Sequence, residues 1–328
     1  MNKKIFIIAA VFIFFVAIIF CFEFLCSSKE TGEFFTIKRG DNVLQIAQNL
    51  KQEKRIDSKV LFVLNSLKDK NYTKLKAGRY SFDNLTNKEI INLFIKGEKV
   101  KEYIKIIPGW DIEDIALEVY RNGICTKQEF LDKYSSLTDE QDNYLKERFP
   151  FLKDKPSKAG LEGYFYPDTY EIDSSQGIEF FVDQVLSNFD QKLNLELREE
   201  VEKQNKSIFE IVTMASMLEK EVISFEDKCL VSDILWRRLK VNMLLEVDST
   251  YLYLNSFSDK HSNSLYNTYR YSGLPIGPIS NPNMESIRAA IYPQKSDYWF
   301  YLSASENETI FSKNYNEHLI NKYKYLNK

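Results

Sequence analysis

The hydrophobic pattern opens with an unbroken apolar run, Ile5 to Phe22, preceded by Lys3 and Lys4. Eighteen residues at about 1.5 Å each reach roughly 27 Å, close to the thickness of a bilayer's hydrocarbon core. The run predicts a transmembrane helix, extended past Glu23 by Phe24 and Leu25, so that residues 5–25 contact the membrane. The flanking lysines put the N-terminus in the cytoplasm and the body outside. The run is long for a cleaved signal peptide and has no small-x-small site after it. Bulky Phe20 and Leu25 precede Cys21 and Cys26, where a lipoprotein signal needs a small residue.

Beyond the anchor the periodicity alternates between short strands and amphipathic helices. Phe34–Ile37 reads as a strand, and Asn42–Leu50 as a helix with Val43, Ile46, Ala47 and Leu50 on one face. Val60–Leu67 and Lys88–Ile95 read as further helices, and residues 77–82 as a turn into a strand. Residues 37–47 are echoed at 106–116, an offset of 69 that pairs Gly40 with Gly109, Ile46 with Ile115 and Ala47 with Ala116. Each copy predicts a strand, a glycine turn and a helix, and the unit resembles a LysM-type glycan-binding module. Residues 126–149 read as a charge-rich helical connector, followed by the aromatic, turn-rich segment 161–170. Ile178–Lys192, Leu195–Lys203, Lys228–Leu239 and Met284–Ile291 have helical periods, and Trp299–Leu302 reads as a buried strand.

The most informative helix is 207–222, SIFEIVTMASMLEKEV. Ser207 and Glu210 have capping-box spacing. Ile208, Ile211, Val212, Ala215, Leu218 and Val222 form an apolar stripe, and at about 100° per residue Glu219 falls on it while Lys220 and Glu221 point elsewhere. A carboxyl on a buried stripe tends toward its neutral form, which can protonate a leaving group. The alternative for such a residue is an ion pair with a Lys or Arg.

Composition narrows the choice. The 328 residues carry 44 Lys and Arg against 47 Asp and Glu, a net charge of −3 that gives no case for nucleic acid as a partner. With four cysteines, no CxxC and two histidines, nothing predicts a metal, and no phosphate-binding glycine loop predicts an organic cofactor. The 20 Tyr and 24 Phe suit a core and also a groove for flat ligands.

The segments LEGYFYPDTY (161–170), MASMLEKEV (214–222), DSTYLY (248–253), YNTYRYSGLPIGPISNP (266–282) and FSKNYNEH (311–318) occur in that order. Together they resemble the membrane-bound endolytic murein (peptidoglycan) transglycosylases, the MltG or YceG-like family. The resemblance implies a glycan lyase of the EC 4.2.2 type that cuts peptidoglycan strands without water, and it matches the family's catalytic glutamate to Glu219. Asp248, Tyr266, Asn267, Thr268 and Glu162 are the candidate substrate-binding residues, each with a fold-supporting alternative; for Asp248 this is a helix N-cap. The loop reads Leu-Pro-Ile-Gly-Pro where the family has Leu-Pro-Pro-Gly, and Leu319 follows the closing histidine in place of asparagine, departures that weaken a role for that histidine.

The expected architecture is α+β: cytoplasmic tail and anchor (1–28), LysM-like module (31–99), second strand–helix unit with helical connector (100–149), and a mixed α/β catalytic domain (150–328). Expected partners are peptidoglycan strands, the cytoplasmic membrane and cell-wall synthases. With Glu219 as sole acid and base, the C6 hydroxyl of the muramic sugar closes a 1,6-anhydro ring. A hydrolytic muramidase pairing Glu219 with Asp248 and a non-catalytic glycan-binding scaffold are the alternatives.

Overall fold

A computed structural model of the chain describes residues 34–173, 176–256, 264–305 and 308–326. The expected anchor lies outside the described residues, among which no helix is long and apolar enough to cross a membrane. The described chain is a mixed α+β structure in two compact units. One runs up to Glu102 and is rejoined by Asp173–Gln176; the other comprises Tyr103–Ile172 and Gly177–Lys328.

In the first unit, β1 (Phe35–Ile37) pairs antiparallel with β2 (Gly78–Tyr80), Phe35 opposite Tyr80. Helices α1 (Val43–Gln52), α2 (Lys59–Leu67) and α3 (Asn87–Lys96) complete it. Asn42 caps α1, accepting from the N–H groups of Leu44 and Gln45 while the Gln45 side chain returns to the Asn42 N–H. The core is aromatic: Phe35 stacks on Phe94 with ring centroids 5.8 Å apart, and Tyr80 lies 4.7 Å from Phe94.

Strand β3 (Glu102–Lys105), all but its first residue in the second unit, is followed there by α4 (Ile112–Arg121), α5 (Lys127–Tyr134) and α6 (Asp139–Arg148). The expected single connector is therefore two helices, broken where Thr138 caps the second. The chain returns through β4 (Thr169–Ile172), which pairs with β3, into α7 (Ile178–Lys192) and α8 (Leu195–Lys203). The helices α9 (Ile208–Glu221), α10 (Phe225–Lys240), α11 (Asp248–Ser256) and α12 (Met284–Ile291) follow. A hairpin of β5 (Phe300–Ser305) and β6 (Glu308–Ser312) and the helix α13 (Tyr315–Leu326) close the order. The hairpin corrects the expected buried strand: of β5 only Leu302 is buried.

The repeated motif takes the same local form twice. Gly40 (φ +93°) and Gly109 (φ +80°) turn the chain from a strand toward a helix with an Asn42 or Asp111 capping box. The first copy belongs to one unit and the second to the other.

Helix α9 is the centre of the second unit, packed by α8, α10, α11 and α12. Every residue from Ile211 to Leu218 is buried, so the helix has no solvent face along its middle. Its two buried hydroxyls are satisfied locally: Thr213 donates to the Phe209 carbonyl and Ser216 to that of Thr213. The proline-rich loop is tied to the same turn, with the Ile279 N–H donating to Ser216 Oγ (3.0 Å) and the Ser280 hydroxyl to the Ser216 carbonyl (3.0 Å). Gly163 of the aromatic segment sits at φ +89°, where a Cβ would come within 2.6 Å of Pro278 and 2.8 Å of Val212. The glycine lets those two motifs close on α9.

Candidate active site

The last turn of α9 carries both glutamates of the Glu-Lys-Glu triplet, and they face different surroundings. Glu219 Oε2 accepts from the Ser286 hydroxyl (2.7 Å) and the Asn283 N–H (3.0 Å), and lies 3.5 Å from the Lys228 ammonium. Asn283 is the N-cap of α12, so Glu219 docks its carboxyl at that helix's N-terminus, where negative charge is favoured. The side chain is 8% exposed and that of Lys228 3%. This is the ion-paired environment left open as the alternative for Glu219.

Glu221 instead lines a cavity of about 480 Å³. Its Oε1 accepts from the Ser249 N–H (3.1 Å) and its Oε2 from the Tyr301 hydroxyl (3.2 Å). Burial pushes this carboxyl above the usual carboxylate range; the Asp248 charge adds to the rise, while hydrogen bonds from Ser249 and Tyr301 oppose it. The expectation that Glu221 points away from the interior is corrected. That expectation assumed a helix buried on one face, and α9 is enclosed on all sides from Ile211 to Leu218, so both Glu219 and Glu221 in the turn that follows meet protein while Lys220 is exposed.

Asp248, the first residue of α11, lines the same cavity and accepts a short hydrogen bond from the Tyr269 hydroxyl. Arg238 is also on the wall but committed: its guanidinium donates to the carbonyls of Trp299 (2.8 Å) and Leu245 (2.8 Å) and so fixes the start of β5. His318 enters from α13, stacked on Phe300 with centroids 5.3 Å apart. Burial, Lys322 and Arg238 lower its pKa below the ordinary histidine value. On the sequence, the departure of its neighbour from the family pattern weakens a role for His318; the fold brings it to the cavity wall.

The other expected substrate-binding residues are occupied within the protein. Asn267 Oδ1 accepts from the Tyr269 N–H, shaping its own turn. Thr268, 1% exposed, accepts from the Val247 N–H and shares a hydrogen bond of 2.9 Å with Thr250. Tyr266 packs on Tyr253, centroids 5.1 Å apart. Glu162 is buried, accepting from the Ile112 N–H (2.9 Å), the Asn281 side-chain amide (2.8 Å) and the Tyr253 hydroxyl (3.1 Å). Burial raises its pKa to about 8. None of the four lines the cavity. They hold the loop and α11, the elements from which Asp248 and Tyr269 reach it. Cys125 and Cys229 are both free thiols.

The YceG-like family model matches residues 35–324. The chain belongs to the YceG-like family. A Bacillus subtilis (strain 168) protein named endolytic murein transglycosylase is 30% identical over 306 residues, covering 88% of this chain and 84% of that protein. A Streptococcus pneumoniae (strain R6) protein of the same name is 28% identical over 322 residues, covering 89% of this chain and 58% of the longer relative. A crystal structure of a yceG-like protein from Listeria monocytogenes superposes with a TM-score of 0.60 at 27% identity, covering 88% of this chain and 98% of the other.

Proposed function

We propose that this YceG-like protein is an endolytic murein transglycosylase with Glu221 as its general acid and base. One observation carries the choice: Glu221 is the α9 glutamate that lines the cavity, with its carboxyl held toward the protonated form. The names of the relatives supply the substrate class. Protonated Glu221 donates its proton to the glycosidic oxygen between N-acetylmuramic acid and N-acetylglucosamine, and an oxocarbenium-like centre develops at the muramic C1. The carboxylate left behind takes the proton of the C6 hydroxyl as that oxygen closes on C1. The 1,6-anhydro end forms with no water consumed, and Glu221 regains its proton. Asp248 favours protonated Glu221 through its charge and is itself oriented by Tyr269. In this reading Glu219 braces the turn that carries Glu221.

The apolar run at residues 5–22 supports a single-pass anchor in the cytoplasmic membrane, with the body outside and acting on strands near the synthases. The two strand–helix units are candidate LysM-like glycan contacts. A second reading, a hydrolytic muramidase, draws on the two carboxylates of one cavity, Glu221 and Asp248. Mass analysis of the sugar ends released from purified sacculi separates them. Anhydro-muramic ends that vanish with Glu221→Gln are expected; reducing ends establish the muramidase, and undiminished release by Glu221→Gln refutes Glu221 as the acid.

A further inference from the structure

Helix α2 of the first unit is amphipathic in an unusual sense. Its inner face buries Phe62 and Ser66. Its outer face presents Val60 (56% exposed), Leu61 (55%), Leu64 (54%) and Leu67 (52%). At about 100° per residue these four fall within an arc of roughly 120°, so an aliphatic strip replaces the polar face that a solvated helix carries. Single exposed aliphatics are ordinary, whereas a contiguous strip marks an interaction surface. Among the described residues the unit's core takes Phe62 and the partly buried Val63 from this helix, and none of the four strip residues.

Two further features select the occupant. Residues 59–76 hold five lysines, Lys59, Lys68, Lys70, Lys74 and Lys76, against one acidic residue, Asp69, in a chain whose net charge is −3. Lys68 and Lys70 are exposed just beyond the end of the strip. The chain between the apolar run and the first described residue comprises only residues 23–33. At about 3.5 Å per residue this tether reaches at most roughly 40 Å. A short aliphatic strip edged by lysines and tethered beside a bilayer has the composition of an interfacial element.

We propose that α2 is a second membrane contact, its four aliphatic side chains seated among the headgroups and the exposed Lys68 and Lys70 beyond its end facing anionic lipid. The proposal rests on the reading of residues 5–22 as an anchor. It makes the first unit a foot that lies on the membrane surface.

The test uses the full chain with Leu64→Trp in vesicles of phosphatidylcholine and phosphatidylglycerol. The native tryptophans, Trp110, Trp236 and Trp299, all belong to the second unit, so the unsubstituted protein supplies the background. Flotation first checks the anchor: a chain that does not float with the vesicles refutes the anchor and this proposal with it. In a floating sample, lipids brominated along the acyl chain are expected to remove roughly half of the added emission, which is blue-shifted. Adding Lys68→Glu and Lys70→Glu is expected to reduce that quenching at least about twofold and abolish its salt dependence. Added emission that is unshifted and unquenched in a floating sample overturns the proposal and leaves the anchor standing. Blue-shifted but unquenched emission, with a dimer by sedimentation, overturns it in favour of a contact between copies.

Discussion

The two sides of the last turn of α9 are built from the same residue type and do opposite things with it. On one side Glu219 is closed in: a hydroxyl, a helix-capping N–H and a buried ammonium converge on one oxygen. On the other, Glu221 has two donors and an opening of about 480 Å³ shared with Asp248. A carboxyl held by a buried cation and two donors suits a structural brace, whereas one that borders a cavity while burial favours its proton can deliver that proton to a ligand. In the proposed reading, two residues of separation on one helix separate support from chemistry.

The comparison breaks or holds first on activity. Glu221→Gln is expected to cut muropeptide release about 10²–10⁴-fold, the range of a lost general acid, while circular dichroism shows an intact fold. Glu219→Gln is expected to keep turnover per folded molecule within about tenfold. If Glu219→Gln abolishes release and Glu221→Gln does not, the assignment reverses.

Stability should show the mirror image. Glu219→Gln leaves the buried Lys228 ammonium without its anion, a loss on the order of 3 kcal/mol by urea unfolding. Glu221→Gln should stabilise the protein in alkaline buffer. Native Glu221 keeps a proton that the unfolded chain releases, so its contribution falls as pH rises above the ordinary carboxylate range. Glutamine removes that penalty.

A smaller effect sharpens the role of Asp248. Removing its charge with Asp248→Asn lowers the Glu221 pKa, so the alkaline limb of kcat/KM should move to lower pH. An unmoved limb separates Asp248 from the acid. The smallest effect concerns Glu162, whose pKa of about 8 makes the native state hold a proton from about pH 4.5 upward. Stability should decline as pH rises through that window, and Glu162→Gln should flatten the decline in urea titrations without altering the product.

Much of the fold was legible along the chain. A capping box predicts the helix start at Ser207, and the apolar period predicts residues 42–50, 178–192 and 284–291 as helices, because caps and periodicity are local. Trp299–Leu302 read as buried because its residues are apolar, yet the hairpin that receives it leaves most of β5 half-exposed. The candidate site was legible as a stretch. The Glu-Lys-Glu triplet, Asp248 and Tyr269 all lie within the quoted motifs, but Thr268 and Asn267 share a motif with Tyr269 and face inward. Sequence adjacency does not reveal which residues of a loop look into a cavity and which hold the loop together.

The sequence by itself determined the family, through five ordered motifs, and the helix that carries the candidate acid, through a cap and an apolar period. Tertiary structure decided which glutamate meets the cavity. A helical wheel has an inside only when one face is buried, and α9 is surrounded. The roles of Glu219 and Glu221 are then set by α12 on one side and by α11 with β5 on the other, elements between about 30 and 80 residues further along the chain.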